Sequence, residues 1–278
     1  MKSLLTCCFS LVLALTLVGC SKNEAKPLPA LDGRVIKSDD APIDELMERS
    51  GLNAQIVDLP ANVLTSAEDQ LRRGATDVDD IRAILRREFN PGALRTQVRV
   101  SLSENLNKAD IEHTLAWLSS DLGTKITALE IAGAADGTHA DIMGQYNRLK
   151  ENNARLAKIQ QLQSATNATQ YAVDLVIEVQ RVLIDTLSPN MPESAQISAE
   201  DFAEKEAQAR PRLQQRLGAM VEASYLYNYQ SLTDEELQRY IDFASSDLGQ
   251  RYHRALAQSL QASVIGASEK SKEAIVQL

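Results

Sequence analysis

Hydroxyls and carboxylates stand side by side twice in this chain. Leu118–Gly123 reads LSSDLG and Ala244–Gly249 reads ASSDLG, with the shared five residues 126 positions apart. Ser120 beside Asp121, and Ser246 beside Asp247, invite Ser/His/Asp hydrolysis, in which an imidazole takes the hydroxyl proton and a carboxylate orients the imidazole. The base is the weak point. His113 and His253 occupy unmatched positions, because the counterpart of His113 in the second copy is Arg239. A duplicated active site would duplicate its base, and no Gly-x-Ser-x-Gly elbow surrounds either serine. The same residues also make a structural corner. The second Ser would cap a helix by accepting from a free first-turn N–H. The Asp would then meet the positive helix end. The Leu would face a core, and the Gly would permit close backbone approach near Trp117 or Phe243. Trp117, Ser120, Asp121 and Gly123, with Phe243, Ser246, Asp247 and Gly249, are therefore expected to be a repeated corner. No catalytic residue is assigned.

Other chemistry-bearing groups are weaker. Asp77-Val78-Asp79-Asp80 lacks the oxygen ligand and the Gly that a calcium loop needs at the positions of Ile81 and Arg82, and reads as a capped helix start. Asp136, His139 and Asp141 read as a turn and a cap. No metal or cofactor is expected, since His-Glu-x-x-His, Walker, dinucleotide and Cys-x-x-Cys patterns are missing after residue 20. Tyr225, Tyr227 and Tyr229 lie at alternate positions, which spread around a helix, so at most two share a surface. Arg72, Arg73, Arg82, Arg86, Arg87, Arg95 and Arg99 are interleaved with acids and read as a solvated helix face.

The first twenty residues, MKSLLTCCFSLVLALTLVGC, pair Lys2 with an apolar run from Leu4 to Val18. That is the layout of a secretory leader, and it is short for a membrane span of roughly 20 residues. Its end, Leu17-Val18-Gly19-Cys20, closely resembles the bacterial lipoprotein signal, which implies cleavage before Cys20 and acylation of its thiol. Ser21 is similar to the outer-membrane sorting residue of Gram-negative lipoproteins. The resemblance implies a protein lipid-anchored at the outer membrane and facing the periplasm. Cys7 and Cys8 would leave with the leader, so no disulfide is available to the mature chain. Ser21–Pro42 is rich in Pro and charge and reads as a tether spanning roughly 25–30 Å. The chain carries a net charge of −9, and one unit more negative without Lys2, which argues against a nucleic-acid partner.

The elements that must position the corners are helices. Apolar residues recur at 3–4 spacing and aromatics are few. An all-α fold is expected, built from two tandem similar units packed as a multi-helix bundle. Asn107–Glu130 and Thr233–Leu256 share their apolar stripe: Ile111, Leu115, Leu118 and Leu122 match Leu237, Ile241, Ala244 and Leu248. Lys125 matches Arg251, and Gly92 matches Gly218. The beginnings agree more loosely, each a short helix, a small-residue break and a longer apolar helix. Extra loop is placed at Ser188–Ser198. The division is leader 1–19, lipidated Cys20 and tether 20–42, unit one 43–135 and unit two 136–278. Thr233-x-x-Glu236 has the capping-box form. Asn107-x-x-Asp110, Thr138-x-x-Asp141 and Ser198-x-x-Asp201 mark further starts.

Glu236–Arg251, an acidic-Leu pair followed by an aromatic, Ser-x-x-Gly and a basic residue, resembles a family of helical domains of unknown function in exported bacterial proteins. Asp247 stands where that family usually has Pro. The likeness covers about 60 residues of the second unit and is fainter over Asp110–Lys125. It implies no active-site residues. A binding or interaction module is expected, taking an envelope protein or an apolar ligand on helical surfaces or in the groove between the copies. An envelope hydrolase with an unrecognised site and a purely structural lipoprotein are the alternatives. A pocket where His and carboxylate converge would favour the hydrolase, and an apolar cleft the binder.

Overall fold

The computed structural model describes residues 41–72, 77–135 and 138–278. Cys20, Ser21 and the tether up to residue 40 lie outside the described residues, and Ala41 and Pro42, read from the sequence as the tether's end, already belong to the first helix. Within them the chain forms twelve α-helices and no strand. These are α1 (Ala41–Arg49), α2 (Leu52–Leu71), α3 (Val78–Glu88), α4 (Pro91–Asn105), α5 (Lys108–Leu118), α6 (Asp121–Gly133), α7 (Thr138–Leu149), α8 (Asn153–Ala165), α9 (Ala168–Leu187), α10 (Ala199–Asn228), α11 (Asp234–Ser245) and α12 (Asp247–Ile275). Thr96–Ser103, whose alternation could suggest a strand, lies inside α4.

Local chemistry starts these helices. Asn90, Asn107, Ser198 and Thr233 each accept a first-turn N–H, and Thr233 with Glu236 completes a reciprocal box. The breaks before α2 and α9 use left-handed backbone instead, at Gly51 (φ 71) and Asn167 (φ 51). Gly and Asn are the residues that enter this region at least cost. Both helices that follow are 20 residues long. The extra chain placed at Ser188–Ser198 forms two single 3₁₀ turns, Ser188–Asn190 and Glu193–Ala195.

The helices can be set out in two parallel series. α1 and α2 correspond to α8 and α9, α3 with α4 to α10, and α5 to α11. The 29-residue α12 corresponds to α6 and α7 together, since Asp121 and Leu149 lie 126 positions before Asp247 and Ile275. The correspondence thus runs past residue 135, where the sequence alone had divided the units. The last arms also cross between units: α12 packs on α3, α4 and α5 as well as on α9 of its own unit, while α6 and α7 pack on α10.

Burial follows from this exchange. One core joins α1–α5 to α9 and α12, around Leu46, Met47, Leu94 and Val264. A second joins α6, α8, the end of α10 and α11, around Ile159, Leu162, Tyr229 and Leu237. Trp117 and Phe243 pack against both. At roughly 1.5–3 kcal/mol per buried large apolar side chain, these shared cores make each unit depend on the other.

Candidate functional site: a cavity between the two corners

Both corners use the second Ser as a cap. Ser120 Oγ accepts from Gly123 N (3.0 Å) and donates to the Trp117 carbonyl (2.6 Å). Ser246 Oγ accepts from Gly249 N (3.1 Å) and donates to the Phe243 carbonyl (2.6 Å). Each hydroxyl is committed to backbone at both ends, and neither meets an imidazole. Asp121 and Asp247 sit exposed in the first turns of α6 and α12. A Cβ at Gly123 would lie 2.2 Å from the Trp117 carbonyl oxygen, and one at Gly249 would lie 2.0 Å from that of Phe243. Only glycine lets the incoming helix end pass this close to the outgoing one.

The two corners meet in a reciprocal contact. The rings of the equivalent residues Trp117 and Phe243 stack with centroids 4.3 Å apart. Arg251 forks onto Asp110 at 2.7 Å, and the equivalent Lys125 meets Glu236 at 2.8 Å. Each pair joins one unit to the other, so the same contact is made twice with the roles reversed.

Beside this junction lies a cavity of about 250 Å³. Equivalent residues of both units line it: Trp117 and Phe243, Ile126 and Tyr252, Thr127 and His253, Glu130 and Leu256. The scaffold is symmetric here and the chemistry is not. Unit one supplies a carboxylate where unit two has Leu256, and unit two an imidazole where unit one has Thr127.

Glu130 is half-buried on α6. Its Oε1 accepts the hydroxyls of Tyr229 (2.6 Å) and Tyr240 (3.1 Å), while Oε2 has no hydrogen-bond partner among the described residues. Desolvation pushes the Glu130 carboxyl above the ordinary carboxylate range against the pull of both hydroxyls. Burial, reinforced by the nearby carboxylate, pushes Tyr229 and Tyr240 well up, so they remain donors at neutral pH. Tyr225 and Tyr252 are raised mainly by burial. His253 is lowered by burial to about 4, which leaves it neutral at pH 7. Its Nε2 is closed off from solvent without a hydrogen-bond partner among the described residues. Rings run in a continuous chain from Tyr225 through Tyr229, Tyr240 and Trp117 to Phe243 and Tyr252. Half of the chain's twelve aromatic residues are gathered here, where apolar aliphatic side chains would have sufficed for packing.

Of the tyrosine cluster, Tyr225 and Tyr229 line the cavity and Tyr227 does not, as helical spacing requires. Asp77 precedes α3 in left-handed backbone (φ 53) and makes no side-chain cap bond, unlike the side-chain cap read from the sequence. Asp79 pairs with Arg82, which also grips Glu68. Arg87 meets Glu88 and Arg99 meets Asp44. His139 and Asp141 lie on α7, and Asp136 lies outside the described residues. Among the described residues no three His, Cys, Asp or Glu side chains are gathered to hold a metal ion. No described helix is long and apolar enough to cross a membrane.

Sequence reasoning passed over Glu130, Tyr240 and Tyr252, and weighed His253 only as a base for serine. A signal was present: the 126-residue register sets Glu130 against Leu256 and Thr127 against His253, two abrupt mismatches inside matching helices.

Comparison with family models, curated proteins and solved structures returns no match, so the cavity carries the functional argument by itself.

Proposed function

We propose that this chain is a lipid-anchored protein of the cell envelope, held at the outer membrane through Cys20 and facing the periplasm, that binds a small ligand between its two repeat units. The anchoring rests on the lipoprotein-like ending Leu17-Val18-Gly19-Cys20 and on Ser21. The likeness of Glu236–Arg251 to exported helical domains supports the same compartment and brings no ligand with it. The binding rests on one observation: a cavity of about 250 Å³ at the junction of the copies, whose polar groups break the symmetry of the scaffold. A carboxylate placed where the duplicate carries Leu costs folding free energy, so it calls for a use other than packing.

The hydrolase alternative is less well supported. Glu130 and His253 share the lining, yet no hydrogen bond joins them, and Glu130 is held by two tyrosine hydroxyls. The serine hydroxyls nearest in sequence are committed to caps.

Native mass spectrometry of the full chain isolated from its membranes tests the binding. A small-molecule adduct is expected, and filling the cavity by Leu256→Trp should remove it. An adduct-free wild-type chain whose Trp117 emission ignores a small-molecule extract of the envelope would overturn the reading. For the anchor, Cys20→Ser should move the chain from the membrane to the soluble periplasmic fraction, and retention in the membrane would count against it.

A further inference from the structure

With the cavity taken as the binding site proposed above, its lining narrows the occupant. Glu130 is its one carboxylate, and no Lys or Arg lines it among the described residues. Lys125 and Arg251, each next in sequence to a lining residue, are already held by Glu236 and Asp110. Oε1 of Glu130 is taken by two hydroxyls, and Oε2 is left without a partner among the described residues. A desolvated carboxylate with a spare oxygen favours a positive ligand. Six of the other lining residues are aromatic, Trp117, Phe243, Tyr225, Tyr229, Tyr240 and Tyr252, beside the uncharged polar Ser50, Gln55, Thr127 and Asn228 and aliphatic groups, and ring quadrupoles attract cations. A metal ion fits poorly, since no cluster of ligands is present among the described residues and the volume far exceeds one ion. A cavity of about 150 Å³ holds benzene, so 250 Å³ suits an organic molecule of about ten non-hydrogen atoms.

We propose that the cavity takes a small organic cation, an alkyl- or arylammonium, whose charge lies against Glu130 and whose carbon groups lie among the aromatic side chains. Occupancy by such a cation would draw the Glu130 carboxyl into its ionised form, so binding tightens as pH rises. The groups that face Glu130 hold their charge state through this range: Tyr225 from α10, Tyr229 just after it, Tyr240 from α11 and Tyr252 from α12 stay protonated, and His253 from α12 stays neutral down to about pH 4.

The test uses the full chain in detergent, freed of adduct, with Trp117 emission as the signal, since it is the chain's single tryptophan. The probes are choline, its neutral carbon isostere dimethylbutanol and the anion dimethylbutanoate. Choline should bind at least about tenfold more tightly than the neutral isostere, and the anion should not bind. Glu130→Gln, which keeps an acceptor for a tyrosine hydroxyl, should shrink the choline preference to within about threefold. Raising the pH from about 5 to about 8 should tighten choline binding and leave dimethylbutanol unchanged. Equal or tighter binding of the neutral or anionic probe overturns the cation inference and leaves the cavity reading standing. A preference that survives Glu130→Gln overturns it as well. If no probe binds the wild-type chain, the inference fails, and the adduct measurement decides the cavity reading separately.

Discussion

Trp117 and Phe243 stack with ring centroids 4.3 Å apart and planes 8° from parallel, and they are one and the same position of the two repeat units. The contact places the duplicated corners back to back and makes the junction between copies the most aromatic part of the molecule. Tyr240 continues the stack on Trp117 at 6.3 Å.

The corner serines act as caps in both units, so their loss should cost stability in equal measure. Ser120→Ala and Ser246→Ala are each expected to lower the unfolding free energy by about 1 kcal/mol, read from urea denaturation. Each also frees a carbonyl, that of Trp117 or Phe243. Unchanged midpoints for both variants would show that the caps do not hold the corners.

The glycines separate tight positions from open ones. Gly249→Ala would put a Cβ 2.0 Å from the Phe243 carbonyl oxygen, and backbone cannot step aside as a flexible side chain can. A loss of about 3 kcal/mol or more is expected. Gly144, inside α7, faces open space: a Cβ there would meet no neighbour within 4 Å. Gly144→Ala should therefore stabilise by about 0.5–1 kcal/mol. Thermal denaturation of the two variants should move in opposite directions, and a shared direction would refute the steric account.

The reciprocal ion pairs differ in burial. The Asp110 side chain is 6% exposed and that of Glu236 is 26% exposed. Hydrogen bonds from Arg251 hold Asp110 below the ordinary carboxylate value. A lowered folded-state pKa adds stability above the unfolded carboxylate range, and that stability is lost as pH falls through the folded value. Asp110→Asn should therefore destabilise at pH 7 and flatten the acid limb of the stability profile below about pH 4. Glu236→Gln should do less, because exposed pairs contribute little. The reverse ranking in urea melts would count against burial as the cause.

His253 should impose an acid sensitivity of its own. Its folded value of about 4 lies below the unfolded value of about 6.5, so the unfolded chain binds more protons between these limits. Stability should fall as pH drops through that window, by up to about 1.4 kcal/mol per unit. Glu130, raised by burial, acts with the opposite sign: its contribution is full below the unfolded carboxylate range and is lost as pH rises. His253→Gln should thus remove the fall between about pH 6.5 and about pH 4, followed by denaturant midpoints. A profile indistinguishable from wild type would show that the imidazole is not held neutral.

Helices and caps were legible in the sequence because they depend on neighbours in the chain. Periodicity of 3–4 residues reveals a helix. Thr233-x-x-Glu236 announces a start, and Ser120 with Gly123 a corner. The exchange of α12 and of α6 with α7 between units was not legible, since an apolar stripe states that a face is buried but not against which helix. Asp77 was misread for a related reason: its left-handed backbone (φ 53) turns the side chain away from the N–H groups that an extended cap residue reaches.

By itself the sequence determined an all-α chain with glycine-pinned corners at Gly123 and Gly249, because capping, helical spacing and close backbone passage act over a few residues. Only the tertiary structure decided that the corners meet, that Asp110 finds Arg251 while Lys125 finds Glu236, and that Glu130 enters a cavity ringed by aromatics. The two ion pairs join residues 141 and 111 positions apart, and Glu130 meets Tyr229 across 99. Which of many apolar faces meet is settled by the packing of the whole chain, not by any segment of it.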